Sequence, residues 1–356
     1  MDDVRVLERL VSRYSPSGRE MPAVWEFVKI ARELGYVARV DRAGNGIARR
    51  GHGRPRILML GHIDTVEGER PVRTVRGRVH GRGAVDAKGA IAAALLAGRN
   101  FAGPGELVVV AAVGEEIDSR GARHLIPRLR PDRVIVGEPS GWDGVTIGYK
   151  GELQLDAEFR GRRTHYSSPT PTTADVALDW AMTVRAWAAT RRVDSLFHSL
   201  TVKTIGLATL GRGDEESVRV TVDLRIPPGL TTRELLRTLP SEPGRPSIAV
   251  RIRVEPIEIA RTDPVVAALS AGIRAKGGRP TLWRKAGTSD LNLVLPAWKV
   301  PGAAYGPGDA RLDHTSRESL SVADLRRAEA VLRLAFARLA GAPDPSPTPR
   351  RSGGGA

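Results

Sequence analysis

A chain of 356 residues, 41% hydrophobic and 27% charged, has material for two domains with buried cores, and no apolar run approaches the roughly 18 residues that a bilayer-spanning helix requires. The absence of cysteine excludes disulfides and thiolate ligands, so any transition metal must be held by histidine and carboxylates. The net charge of +15, carried mostly by arginine scattered along the chain, would attract acidic partners, but it equally fits a solvated basic surface.

The opening MDDVRVLERLVSRY is mixed in charge and lacks the basic start, apolar stretch and small-residue cleavage site of a secretion signal, so a cytoplasmic protein is expected. Apolar spacing near 3.6 predicts helices over 3–14 and 20–34, broken at Pro16-Ser17-Gly18. A hairpin is expected over 36–50, turning at Ala43-Gly44-Asn45-Gly46. Three apolar runs then read as buried strands: 56–60, 107–113 and 133–136. Helices over 87–99 and 119–129 separate them, and this alternation implies a mainly parallel sheet in an α/β fold.

From about residue 150 the style changes to alternating strands, near 152–159, 199–210, 216–225 and 247–256, with a helix over 173–190. Helices over 263–276 and 321–340 return to the first style, with Ser321 a candidate N-cap for the last. The expected organisation is a catalytic domain in two parts, 1–149 and 260–341, an inserted α+β domain, 150–259, and a disordered tail, 342–356.

Chemistry-bearing residues collect where strands end. His62 and Asp64 follow the first buried run, Glu115 and Glu116 the second, and Glu138 the third, while Asp86 sits in the Gly-rich turn 81–86. Each alone reads as an ordinary polar group, but parallel sheets build their sites beyond the carboxyl ends of strands. Acids gathered there repel one another by several kcal/mol unless they are protonated or bind cations. Histidine with carboxylates favours zinc or a similar metal over calcium or magnesium.

Gly61-His62-Ile63-Asp64-Thr65-Val66, the run 81–89, Gly114-Glu115-Glu116, Gly137-Glu138-Pro139-Ser140 and Asp313-His314 together resemble the co-catalytic zinc amidohydrolases and peptidases. That family includes succinyl-diaminopimelate desuccinylase, acetylornithine deacetylase, aminoacylase and carboxypeptidase G-type enzymes. The resemblance spans nearly the whole chain. It implies a zinc-peptidase-like catalytic domain, a lid that also dimerises, and two Zn2+ ions, or Co2+ in their place. His62 and Glu138 would hold one ion, Glu116 and His314 the other, and Asp86 would bridge them. Asp64 would fix the His62 tautomer, Glu115 would be the general base, and His165 would polarise the scissile carbonyl, within one chain or across a dimer.

Within the family, Gly137–Trp142, Gly148–Gly151, Gly287–Asn292 and Tyr305–Asp309 are most similar to the hydrolases that release lysine or ornithine from LysW, a small acidic carrier protein. Arg225 would bind the substrate α-carboxylate or form a salt bridge inside the lid; both readings stand. Thr288 and Ser289 would contact the same carboxylate. A dipeptidase or small-molecule deacylase would use the same metal site. A nucleic-acid-binding protein is disfavoured, because no helix-turn-helix, zinc finger or aromatic-plus-basic platform is present. His52, His80, His124 and His198 match no ligand position, and Lys88, Trp142, Tyr149 and Lys150 read as structural.

Overall fold

The computed structural model describes residues 3–165, 167–209 and 214–341. The first elements are α1 (Asp3–Val11), α2 (Met21–Glu33), β1 (Val37–Val40), β2 (Gly46–His52), β3 (Arg56–His62), β4 (Arg73–Val75), β5 (Arg78–His80), α3 (Lys88–Gly98), β6 (Gly105–Ala112), α4 (Arg120–Leu125) and β7 (Arg133–Gly137). Then come β8 (Gly144–Tyr149), β9 (Gly151–Arg162), α5 (Thr173–Ala189), β10 (Thr201–Thr209), β11 (Glu215–Ile226), α6 (Thr232–Thr238), β12 (Ser247–Val254) and β13 (Ile257–Glu258). The chain ends with α7 (Pro264–Ala275), β14 (Thr281–Lys285), α8 (Leu291–Trp298), β15 (Gly302–Ala304), β16 (Ser319–Ser321) and α9 (Val322–Leu339).

The chain divides into two compact units: residues up to 145, 261–281 and from 298 on form one, and 146–260 with 282–297 form the other. In the first unit the strands run in the order β1-β2-β6-β3-β7-β15. β6, β3, β7 and β15 are mutually parallel, and the β1–β2 hairpin is antiparallel at one edge. The mainly parallel sheet expected from the alternating pattern is therefore present. Its central strands are apolar without alternation, and β6 is buried along its whole length, as a sheet covered on both faces demands. α3 is buried at every position, and its run of alanines lets it pack closely between β3 and β6 on one side and α1 and α9 on the other. Ser321 caps α9, its side chain accepting from the Asp324 amide.

The second unit holds an antiparallel sheet in the order β10-β11-β9-β12. β9 alternates from Leu153 to Phe159, so Leu153, Leu155, Ala157 and Phe159 enter the core while Gln154, Asp156 and Glu158 stay on the other face. α5 covers the apolar face. Its start is fixed by a capping box between Thr172 and Asp175, and its Trp180 is fully buried with its ring edge-on to Phe159 at 5.7 Å. Burying a side chain of that size contributes about 2–3 kcal/mol.

Residues 282–297 were expected with the catalytic segments, yet they group with the second unit. Asn292 explains the grouping: its side-chain amide donates to the carbonyls of Lys150 and Glu255 at 3.2 and 2.9 Å, while the Lys150 amide donates to the Lys285 carbonyl. The expected tail, 342–356, lies outside the described residues, as does Tyr166 beside His165.

Candidate active site

Three parallel neighbours in the first unit end in polar residues. β3 ends at His62, and Asp64 lies two residues on; β7 ends at Gly137, and Glu138 follows. After β6, Gly114 adopts φ +76°, a conformation that costs glycine little, and the tight turn it opens presents Glu115 and Glu116. Because β3 pairs with both β6 and β7 in parallel, these ends stand side by side. Asp86 enters from the turn before α3. His314 comes from the loop before β16, itself at φ +59°.

Asp86 is the centre of the constellation. Its Oδ1 lies 3.0 Å from His62 Nε2, and its Oδ2 lies 3.0 Å from His314 Nε2. His314 Nε2 is also 3.0 Å from Glu116 Oε1. Candidate ligand atoms of His62, Asp86 and Glu138 fall within 4.8 Å of one another, and so do those of Asp86, Glu116 and His314. The two groups share Asp86, one oxygen turned to each histidine.

The surrounding contacts orient these groups. His62 Nδ1 lies 3.0 Å from the main-chain oxygen of Asp64, an acceptor only, so Nδ1 donates and Nε2 keeps its lone pair for a ligand. The Asp64 carboxylate is farther, 3.7 Å from Nδ1. That fully buried carboxylate instead accepts from Ser17 Oγ at 2.7 Å and from the amides of Glu115 and Glu116, each at 3.1 Å. Glu318, also buried, accepts from the amides of Val85 and Asp86 and from Arg82 Nη1 at 2.8 Å, which fixes the turn that carries Asp86. Sequence reasoning missed Ser17, Arg82 and Glu318. Their partners lie 47 to 236 residues away, and no local pattern marks them. Lys88 is structural, as expected: its buried ammonium donates to the Arg13 carbonyl at 2.7 Å.

The electrostatics show a site that demands positive charge. Burial opposes the His62 cation, but Asp64 and Asp86 outweigh it and hold its pKa well above the usual value. Asp86 and Glu116 raise His314 to about 10 against its burial. Burial pushes Asp86 up, and the two histidines overcome this and hold it well below the carboxylate range. Two nitrogen donors and three carboxylates without sulfur suit zinc-type divalent ions, which would supply the positive charge that this cluster favours.

The remaining expected residues fall in different places. Glu115 is half-buried in the first unit, close enough for its charge to favour the His62 cation. His165 belongs to the second unit and is exposed, with Nδ1 2.7 Å from Ser167 Oγ. Arg225 pairs with Glu152 and Asp223, so the salt bridge that was one of its two readings is present within the second unit. Ser289 is buried, and its hydroxyl accepts from the Leu291 amide at the start of α8. Thr288 is half-buried and donates weakly to Glu152, at 3.4 Å. Among the described residues, no other group of histidines and acids comes together as a metal cluster, so His52, His80, His124 and His198 stay outside.

Residues 58–338 match the pattern of peptidase family M20/M25/M40. The chain belongs to that family. It is therefore a metal-dependent hydrolase, and the strand-end cluster lies within the matched span. The chain is 38% identical over 354 residues to a LysW-lysine hydrolase of Deinococcus radiodurans, covering 94% of this chain and 96% of that one. It is 31% identical to a LysW-lysine/LysW-ornithine hydrolase of Sulfurisphaera tokodaii, with 90% of each covered. Among solved structures it shares the fold of an M20 family metallo-carboxypeptidase from Sulfolobus solfataricus, with a TM-score of 0.78 at 17% identity over 94% of this chain and 100% of that chain. No helix among the described residues is long and apolar enough to cross a membrane.

Proposed function

We propose that this M20 hydrolase releases lysine, ornithine or both from the carrier protein LysW, in the cytoplasm, as a step of lysine and arginine biosynthesis. The observation that carries the substrate is the whole-length similarity to hydrolases so named, at 31–38% identity over nine-tenths or more of the chain. The hydrolytic chemistry rests on the twin group around Asp86.

His62 and Glu138 would hold one ion and Glu116 and His314 the other, with Asp86 bridging. Bound zinc or cobalt would lower the pKa of water toward about 7 and polarise the scissile carbonyl. Glu115 takes the proton of the attacking water and returns one to the departing amine. Asp64 holds the Glu115–Glu116 turn in place and fixes the His62 tautomer through its carbonyl. From the second unit, His165 would stabilise the developing oxyanion, and Arg225, Thr288 and Ser289 would receive the α-carboxylate. Since Arg225 is already paired with two acids, the α-carboxylate would compete with Glu152 and Asp223 for its guanidinium.

The +15 charge would steer an acidic carrier and make the encounter sensitive to salt. A homodimer through the second unit is part of the same proposal. Edge strand β10 leaves Ile205 and Leu207 about half exposed, the kind of edge that proteins cover. The deciding experiment compares turnover, by mass spectrometry, of LysW-lysine and LysW-ornithine with that of acetyl-ornithine and succinyl-diaminopimelate. Strong preference for the carrier conjugates is expected; equal turnover of the small acyl-amino acids would make this a general deacylase.

A further inference from the structure

The connection between α1 and α2, residues 12–20, supplies none of the candidate metal ligands, yet it is bonded to the site at several points, all within the first unit. Its bonds bracket Asp64 along the chain. Ser15 Oγ donates to the Ile63 carbonyl at 2.7 Å, and the Thr65 amide donates to the Ser15 carbonyl at 3.0 Å. The Ser17 amide then donates to the Thr65 carbonyl at 3.2 Å, and Pro16 and Thr65 form a parallel bridge. Upstream, Lys88 Nζ reaches the Arg13 carbonyl at 2.7 Å. Its stem passes the turn that carries Asp86 at Gly83, where a Cβ would stand 3.1 Å from Lys88 Cδ. Ser15, Asp64, Thr65 and Lys88 are all buried, and hydrogen bonds in such surroundings hold firmly.

Ser17 stands at the end of this framework, and its hydroxyl donates to Asp64 Oδ2 at 2.7 Å. Asp64 Oδ1 takes the Glu115 amide, and Oδ2 takes the Glu116 amide as well. Those amides belong to the turn that has to be positioned, and the terminal torsion of an aspartate is soft. Turn and carboxylate can therefore drift together unless a donor from a separate segment fixes the carboxylate plane. Ser17 is that donor. The same connection holds the far end of the turn. Buried Glu20 accepts from the Gly18 amide at 2.9 Å and pairs with Arg120, the first residue of α4. Arg120 lies so close over Gly114 that a Cβ there would collide with its guanidinium. The turn bearing Glu115 and Glu116 is thus held at both ends by one segment.

We propose that Ser17 is a positioning residue for proton transfer, acting through Asp64 to keep Glu115 where it exchanges protons with the reacting groups. This inference rests on the proposed role of Glu115 as general base, and it adds a residue on which that placement depends. Glu116 belongs to a ligand group, so a bound ion would anchor it; Glu115 is assigned no ion and relies on the turn. Loss of the Ser17 hydroxyl should therefore reach proton transfer before it reaches metal binding.

The test compares Ser17→Ala with Ser17→Thr, which keeps the hydroxyl, with melting temperature checked for each. In the metal-loaded enzyme acting on its preferred LysW conjugate, Ser17→Ala should lower kcat on the order of 10-fold, as for one lost hydrogen bond to a charged group, with KM within about twofold and bound metal per chain unchanged. Ser17→Thr should restore most of the rate. A second readout needs no substrate. Hydrogen exchange followed by mass spectrometry on peptides spanning residues 114–119 should be several-fold faster in Ser17→Ala and return to the wild-type rate in Ser17→Thr, with β6 unchanged. Wild-type exchange of this turn in Ser17→Ala overturns the proposal whatever the substrate proves to be. A folded Ser17→Ala enzyme with unchanged kcat also overturns it, as does a rate loss that tracks lost metal or that Ser17→Thr fails to restore. If no LysW conjugate is cleaved, the proposed function falls, and the exchange measurement alone decides whether Ser17 positions the turn.

Discussion

The carboxylate of Asp64 accepts the backbone amide of Glu115 at 3.1 Å, so the residue beside one metal-ready histidine also sets the position of the proposed general base. The second Asp64 oxygen takes the Glu116 amide and the Ser17 hydroxyl, and the Asp64 main-chain oxygen faces His62 Nδ1. One buried acid therefore orients a histidine through its backbone and two acids through its side chain. Asp64→Ala should lower kcat/KM by about 10- to 100-fold, the usual effect of removing a group that orients ligands. Metal analysis on the same sample should show weakened retention. A variant with normal kcat/KM would mean that the Gly114 turn holds Glu115 unaided.

Glu115 itself follows a different rule. It is assigned to proton transfer, whereas Glu116 lies in the ligand group with His314. Glu115→Ala should reduce kcat by on the order of 100- to 10,000-fold, the range for lost general acid–base catalysis, while bound metal per chain stays unchanged. Loss of both ions in this variant would move Glu115 from proton transfer to ligation.

Much of this arrangement is legible in the sequence because its parts are short and local. His62 follows a strand with no polar break, Glu115 and Glu116 follow another, and parallel pairing then brings them together. The hairpin at 43–46 and the capped helix at Ser321 are legible for the same reason, since each rests on residues a few positions apart. What escapes is set by long-range pairing. β4, β5 and β16 are three residues each, too short for a period, and β16 joins β5 across more than 230 positions. Glu318 sits in an unremarkable polar stretch, and only folding places it under the Asp86 turn. The grouping of 282–297 with the second unit depends on single bonds from Asn292, which apolar spacing does not register.

Asp86 belongs to both ligand groups, and Glu138 belongs to one. Asp86→Ala should therefore abolish retention of both ions, whereas Glu138→Ala should leave about one per chain after dialysis. Elemental analysis with matched protein concentration separates these outcomes. Loading the wild-type protein should also raise its melting temperature, since an ion at 100 times its dissociation constant stabilises by about 2.7 kcal/mol. Equal metal loss in the two variants would contradict a bridging Asp86.

Glu318 and Arg82 form an ion pair at 2.8 Å with both side chains almost wholly buried. Removing one member leaves a buried charge without its counter-ion, which costs about 3–5 kcal/mol. Glu318→Ala should reach that range in denaturant unfolding. It should also weaken metal binding, because the Val85 and Asp86 amides lose their acceptor. Glu318→Gln keeps an acceptor for these amides, so it should recover more of the metal affinity than of the stability. Equal recovery of both would show that the ion pair, not the turn, governs the site.

At the start of β6, Glu106 is buried between Arg49 and Arg56, 2.7 Å from Arg49 Nη1. Burial pushes its pKa up, but the two guanidiniums overcome this and hold it below the usual glutamate value of 4.5. With a depressed folded-state pKa, the unfolded chain takes up the proton first as pH falls. The stabilisation is therefore complete above about pH 4.5 and disappears as pH drops through the lower folded value. Glu106→Gln should cost about 1–2 kcal/mol at pH 7, toward the modest end because both arginines remain partly exposed. The two proteins should converge in stability as the acid limb is descended, and a gap that stays constant below pH 4 would show that packing rather than charge is responsible.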